Sequence, residues 1–380
     1  MTSPQYLSAP VLAFLGAAAV VIAAAYQVFS NSRREQPWPG FKLITVRDNS
    51  PKASYALHGR EALAKGLQEC SGPFQVMSGS GPIIVLPNRF ADEIRNEPWL
   101  EFSKGIKQDF FPNYPGFEPF KEGLEPDSVS MEAIRTKLTS HLGLVTDDLV
   151  DETIHDLHKI YGDNDEWRTI SIKDSTLDLV ARTSSRVFLG KDLCRNERWV
   201  TIANSYTVNS FTGAFALRKC PTLLRPIAYW FIPELTRLRK TVNEARTLID
   251  TEVAKQARQV DEALQEGKKP PKFVNTLRWM YEIAKGRKVD YTAAQLAFTL
   301  VAMGAQSALH AQAIVNVCAR PKLLEQLRKE IIDVIGEYGF QNAGLHKLEL
   351  MDSYIKEIQR LYPANAGMSH PDQLVVLFAL

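Results

Sequence analysis

The chain is poor in cysteine. Its four thiols, Cys70, Cys194, Cys220 and Cys318, lie far apart over 380 residues with no CxxC spacing, a pattern that points to neither a zinc site nor a disulfide framework. They read as reduced thiols in a cytosol-facing protein. The chain also lacks a charge bias. Its 45 Lys and Arg face 43 Asp and Glu for a formal charge of +2, with both signs spread along the sequence. No basic field is present to hold a phosphate backbone, so no nucleic-acid partner is expected. An Asn-X-Ser/Thr acceptor with X other than proline is absent as well, in keeping with a body that faces the cytosol.

Two stretches lack charge altogether, and they define the architecture. The first runs from Leu7 to Phe29, LSAPVLAFLGAAAVVIAAAYQVF, with the basic pair Arg33-Arg34 after it and no Lys or Arg before it. About 20 apolar residues suffice to cross a bilayer as a helix. The segment is longer than a signal-peptide core, and its basic flank follows it. A single-pass, uncleaved transmembrane anchor is therefore expected, with the body on the cytosolic side. Pro37-Trp38-Pro39-Gly40 follows and reads as a stiff, non-helical spacer that holds the body off the bilayer.

Next, Phe74 to Met77 and Ile83 to Leu86 flank a Gly-rich connection, the signature of a β-hairpin. From about Met131 onward, apolar residues recur at three and four spacing and predict a mainly α body with a small β portion. The second uncharged stretch, AAQLAFTLVAMGAQSALHAQAIVNVCA, opens after Thr292 and lasts until Arg320-Pro321. Thr292 and Gln295 suggest a capping box at its start. A helix apolar nearly all round is expected to be buried, crossing a large domain. A second membrane span is the alternative, opposed by Gln306, Ser307, His310, Gln312 and Asn316 in its second half. Two amphipathic helices follow, PKLLEQLRKEIIDVIGEYG and LELMDSYIKEIQRLY, the latter stopped by Pro363.

On that last helix Glu357 and Arg360 are three apart, so their side chains share a face and can form a charge-assisted pair. The spacing alone is a weak signal, because it recurs at Glu132/Arg135, Glu234/Arg237 and Glu325/Arg328. Any one such pair is most simply a solvated surface pair. Here it sits after a long apolar helix and an amphipathic one, in that order.

This run, from AQLAFTLVAMGAQSALHAQAIVNVCARPKLLEQLRKEI to MDSYIKEIQRLYP, resembles the I, J and K helices of cytochrome P450, and in particular the fungal branch similar to ent-kaurene oxidase. FQVMSGSGPIIVLP, YPGFEPF, IRTKLTSHLG, SSRVFLGKDLCRNERWV and LRPIAYWFIPELTRLR resemble segments of the same branch. The likeness extends from about Gly40 to Pro363. It implies a P450-like fold, haem b as cofactor, and insertion of one oxygen atom of O2 into a C–H bond of a small hydrophobic substrate, in the terpenoid class of fungal secondary metabolism. It further implies electrons from NADPH-cytochrome P450 reductase and a place in the endoplasmic reticulum membrane. Under the resemblance Glu357 and Arg360 are the ExxR pair, and Arg135 and Lys137 fall where the family offers cations to the haem propionates.

Two features depart from the family. Where consecutive threonines are usual in the middle of helix I, this chain reads Ala305-Gln306-Ser307. Gln306 or Ser307 is then the candidate for oxygen and proton handling, unless both merely satisfy neighbouring groups. The family's haem-ligating cysteine loop, FxxGxxxCxG, should follow the ExxR helix, and it is missing from these residues. A C-terminally incomplete P450 domain is therefore expected, with residues 1–6 as a short lead, 7–29 the anchor, 30–40 the linker, 41–363 the partial domain and 364–380 a divergent tail. The contrasting expectation is a catalytically inactive remnant, at most a non-enzymatic binder of hydrophobic ligands.

Overall fold

A computed structural model describes residues 36–47, 50–79, 81–95, 97, 98, 100, 102–163, 166–362 and the strand Leu374–Phe378. The apolar segment 7–29, Pro363 and most of the tail lie outside the described residues. In chain order the main helices are α1 (Pro51–Glu69), α2 (Phe102–Phe110), α3 (Glu118–Glu122), α4 (Leu142–Tyr161), α5 (Ile172–Leu189), α6 (Lys191–Cys194), α7 (Glu197–Arg218), α8 (Arg225–Phe231), α9 (Pro233–Gln265), α10 (Thr276–Ala284), α11 (Tyr291–Cys318), α12 (Pro321–Tyr338) and α13 (Glu349–Leu361). The strands are β1 (Lys42–Leu43), β2 (Phe74–Ser78), β3 (Gly81–Pro87) and β4 (Leu374–Phe378).

These residues cluster into two units. One combines the described part of Met1–Glu101 with Gly213–Thr236 and β4; the other comprises Phe102–Thr212 and the described part of Arg237–Pro371.

The first unit is organised by a sheet of order β1-β2-β3-β4. The expected hairpin is present, with β2 antiparallel to β3 in the register Phe74↔Val85 to Ser78↔Gly81. Gly81, at φ +128°, serves the turn where a side chain would be strained. One face of the sheet and α1 bury Ile44, Val46, Ala62, Leu63, Phe74, Val76, Ile83 and Val85 against one another. Burying a large apolar side chain of this kind is worth about 1.5–3 kcal/mol. The helix approaches so closely that a Cβ on Gly66 would stand 2.2 Å from the Phe74 ring, so this glycine sets the helix–sheet spacing. β4 pairs antiparallel with β3 from Ile83↔Phe378 to Pro87↔Leu374. The apolar tail thus extends the sheet as an edge strand.

The second unit is helical. Val129, Ala133, Trp279, Met280, Ala294 and Phe298 form the heart of a core cluster that joins the 129–138 segment to α10 and the first half of α11. α11 starts at Tyr291 with Asp290 as its N-cap, whose side chain accepts from the Ala293 N–H at 2.9 Å. The Thr292/Gln295 capping box is therefore not formed. Gln295 is instead buried, donating to Thr276 Oγ1 at 3.3 Å.

Among the described residues α11 is the one helix long and apolar enough to cross a membrane by length and composition. Thr292 through Thr299 are all buried in protein. From Val301 on the expectation of burial holds on one face alone: Met303, Ser307 and Asn316 stay buried, but Val301 is 76% exposed, Val315 is 52% exposed, and Gly304, Ala305 and Ala308 are exposed too. The reason is coverage. α5 and α3 lie against α11, and α12 and α13 also touch it, yet a stripe along Val301, Gly304, Ala305 and Ala308 is left uncovered by the described residues.

Candidate functional site

All the candidate residues lie in the second unit. The Glu357 and Arg360 side chains form a two-pronged pair on α13, with Arg360 Nε donating to Glu357 Oε2 at 2.7 Å and Nη2 donating to Oε1 at 2.6 Å. The fork hydrogen bonds hold the Glu357 carboxyl below its usual range. The pair is exposed, at 51% for Glu357 and 42% for Arg360, so its worth here is geometric specificity more than stability.

The helix that carries the pair is fixed by contacts the sequence hides. α13 begins after Leu348, a residue with no capping side chain. Two of its orphan N–H groups are taken by Glu330 of α12, whose carboxylate accepts from Leu350 at 2.6 Å and from Met351 at 2.9 Å. Further along, the Tyr354 hydroxyl donates to the Ala313 carbonyl of α11, and Ile358 is buried. Sequence reasoning does not reach Glu330. The local hint is the missing Ser, Thr, Asp or Asn before Glu349.

Gln306 and Ser307, adjacent in sequence, divide between two environments. Ser307 is buried and its Oγ donates to the Met303 carbonyl at 2.5 Å, the back-bonding habit of helical serines. Its proton is spent on the helix. Gln306 is exposed and so keeps an amide on the solvent side.

Arg135 and Lys137 lie on a stretch of π-helix, Ala133–Leu138. Arg135 is exposed and its Nη1 donates to the Pro126 carbonyl at 3.4 Å. The nearby Glu132 pairs with Arg287 at 2.7 Å. The structure brings Glu357 to Arg360, leaves Gln306 and Ser307 apart in role, and keeps Arg135 and Lys137 on their own segment.

A second cluster has metal-ligand spacing but a different character. Glu152, His155 and Asp156 of α4 place one ligand atom each within 4.8 Å of one another. Arg195 Nε already donates to Glu152 Oε2 at 3.0 Å, and Arg182 Nε lies 3.7 Å from Asp156 Oδ1. Arg186 pairs with Asp148 at 2.5 Å, and Lys191 with Asp151 at 3.1 Å. Cations of the protein thus neutralise the carboxylates, and the cluster is an ionic core tying α4 to α5 and α6. Burial pushes the Asp156 carboxyl up to about 6, against the opposing pull of His155.

The haem that the resemblance implies can be tested against these residues. The uncovered stripe Val301, Gly304, Ala305 and Ala308 is small and apolar, and a Cβ on Gly304 would meet nothing within 4 Å. It suits one face of a flat ligand. No thiolate accompanies it. Cys194 is fully buried, donates to the Lys191 carbonyl at 3.2 Å, and has its thiol pushed up to about 12, by burial first and by the Glu152 charge second. Such a group stays protonated at neutral pH, and with no exposed surface it offers no open side to a flat ligand. Cys318 ends α11, about 21 Å beyond Gly304 at 1.5 Å per residue. Cys70 and Cys220, like the other two, precede the ExxR helix, whereas the family's cysteine loop follows it. The described residues therefore do not fit a haem-thiolate centre.

The cytochrome P450 family model matches residues 129–372. The chain is 40% identical over 350 residues to cytochrome P450 monooxygenase bsc2 of Alternaria brassicicola, covering 90% of this chain and 66% of that protein. It is 33% identical to cytochrome P450 monooxygenase easM of Aspergillus fumigatus over 94% of this chain and 70% of that one. With cytochrome P450 monooxygenase ptmU of Penicillium ochrochloron it shares 34% identity over 90% and 65%. The chain spans about two thirds of the length of these relatives. A match over more than half the chain, joined to a two-pronged ExxR pair on a helix docked against a long apolar one, places it: the chain belongs to the cytochrome P450 family.

Proposed function

We propose that the protein is a membrane-bound monooxygenase that oxidises a small hydrophobic secondary metabolite, in the terpenoid class, using O2 and electrons from NADPH-cytochrome P450 reductase. Its place would be the endoplasmic reticulum, held by the apolar segment 7–29 with the body in the cytosol. The observation that carries this reading is the membership in a family whose matched relatives are named as monooxygenases, together with the uncovered apolar stripe of α11, the helix to which the ExxR helix is bonded through Tyr354.

In this reading each group has a limited task. Val301, Ala305 and Ala308 offer an apolar wall that excludes water. Gln306 offers an amide that can orient or relay a proton at its Nε2 or Oε1. Glu357 and Arg360 form the ExxR fork within α13, the helix that Glu330 and the Tyr354 hydroxyl dock to its neighbours. The axial thiolate has no candidate among the described residues, so the activity requires a cysteine from outside them. A second reading, a non-enzymatic binder of hydrophobic ligands, is favoured by that one observation about the cysteines.

The experiment that separates them starts from the transcript. Its full translation product is expressed in membranes with a haem supply, and two things are measured: the reduced, CO-bound absorption spectrum, and oxidised products from a panel of terpenoid substrates. A thiolate-type spectrum with product supports the monooxygenase. Hydrophobic ligand binding with neither supports the binder.

A further inference from the structure

Gln75 lies in β2 with its side chain buried at 1% exposure. A buried amide needs partners for both ends, and Gln75 finds all of them on one short upstream segment. Its Oε1 accepts the Trp38 N–H at 2.8 Å, while Nε2 donates to the Trp38 carbonyl at 2.9 Å and to the Phe41 carbonyl at 2.6 Å. The segment is stiff in its own right, since Pro37 and Pro39 fix φ and offer no N–H, and Gly40 turns at φ +88°. Directly after it β1 pairs with β2 at Lys42↔Phe74 and Leu43↔Gln75, and the Ile44 N–H reaches the Gln75 carbonyl at 2.9 Å. One residue therefore holds the incoming chain by side chain and by backbone at once. The spacer expected from the sequence is a strap bonded to the sheet.

We propose that Gln75 is a clamp that turns the Pro37–Phe41 segment into a rigid bracket on the sheet, at the point where the chain arriving from the N-terminal apolar segment enters the first unit. Without it, the prolines would stiffen the segment locally, but nothing would fix its direction against β2. With it, the chain enters the first unit along one fixed direction from Trp38 onward. The membrane placement of the apolar segment rests on the anchor reading above; the clamp does not.

The test uses the full chain in membranes or nanodiscs. Wild type, Gln75→Ala and Gln75→Glu are compared by hydrogen exchange at the Trp38 amide and by the rate at which chymotrypsin produces the fragment beginning at Lys42, identified by mass. In Gln75→Ala the Trp38 amide should exchange at least about tenfold faster, as a lost hydrogen bond of about 1.4 kcal/mol implies, and the Lys42 fragment should appear correspondingly sooner. Gln75→Glu keeps the acceptor for Trp38 but not the two donors, and should fall between. Unchanged protection of β2 and β3 amides shows that the sheet survives each substitution, since its ladder uses backbone groups alone. Equal exchange and cleavage in all three chains would overturn the clamp. Carbonate washing of the same membranes reads the anchor separately, because release of intact protein there refutes the anchor and leaves the Trp38 exchange result to decide the clamp.

Discussion

The Glu330 carboxylate accepts the backbone N–H of Leu350 at 2.6 Å, and one helix thereby caps the next. A second bond, from Met351 at 2.9 Å, makes the cap bidentate. Because α13 has no cap of its own at Leu348, this contact sets where the helix carrying Glu357 and Arg360 begins. Glu330→Ala should cost about 1–2 kcal/mol of stability, the range of a lost N-cap. Glu330→Gln, which keeps an acceptor without the charge, should cost less. Denaturant unfolding and hydrogen exchange at Leu350 and Met351 measure both.

The exposed Glu357–Arg360 fork should rank below that cap in stability. Arg360→Ala is expected to move the unfolding midpoint less than Glu330→Ala does, since exposed pairs contribute little net energy. A larger shift from Arg360→Ala would mean that further contacts of the guanidinium dominate its role.

Asp156 predicts a pH dependence with a definite sign. Its carboxyl titrates at about 6 in the fold against an ordinary 3.8, so the folded protein holds this proton more tightly than the unfolded chain. The stabilisation is therefore complete below about pH 4 and is lost as pH rises through about 6. At about 1.36 kcal/mol for each pH unit between the two values, the upper bound is about 3 kcal/mol. Asp156→Asn should abolish this slope and should be at least as stable as wild type at about pH 7.5, with Arg182 still held by Glu197 at 2.8 Å. Chemical denaturation at about pH 4.5, 6 and 7.5 checks it. A slope that persists in Asp156→Asn would assign it to another group of the α4–α5–α6 ionic core.

Ser307 and Gln306 should separate functionally. Ser307→Ala loses a hydroxyl already committed to Met303, so product formation by the transcript product should stay within about threefold, far from the roughly 10²–10⁴ that a proton-transfer group supplies. Gln306→Leu should lower it more. The reverse order would restore Ser307 as the proton-handling residue.

The parts of the fold that were legible in sequence are those fixed by local chemistry. The Phe74–Pro87 hairpin follows from β-formers around a Gly-rich turn, and α11, α12 and α13 from apolar spacing ended by prolines or by lost periodicity. The parts that were hidden depend on partners distant in sequence. Thr292 looks like a cap, yet Asp290 takes that role and Gln295 turns inward to Thr276. α11 reads as buried throughout, but burial depends on what covers it: Thr292–Thr299 are buried all round, and beyond them burial is confined to a few positions such as Met303, Ser307 and Asn316. Glu330 lies 20 residues from Leu350, and Gln75 lies 37 from Trp38. No periodicity announces such pairs. The tail offers a third case: it reads as a divergent end, whereas Leu374–Phe378 pairs with β3, a partner far upstream in the sequence.

The reduced, CO-bound absorption spectrum tests the account most directly when two polypeptides are compared side by side, the 380-residue chain and the full translation product of the transcript. If none of Cys70, Cys194, Cys220 and Cys318 can supply the axial thiolate, the 380-residue polypeptide should show no thiolate-type Soret band, while a product that carries a further cysteine loop should show one. A thiolate-type band with one haem per chain from the 380 residues alone would contradict the account.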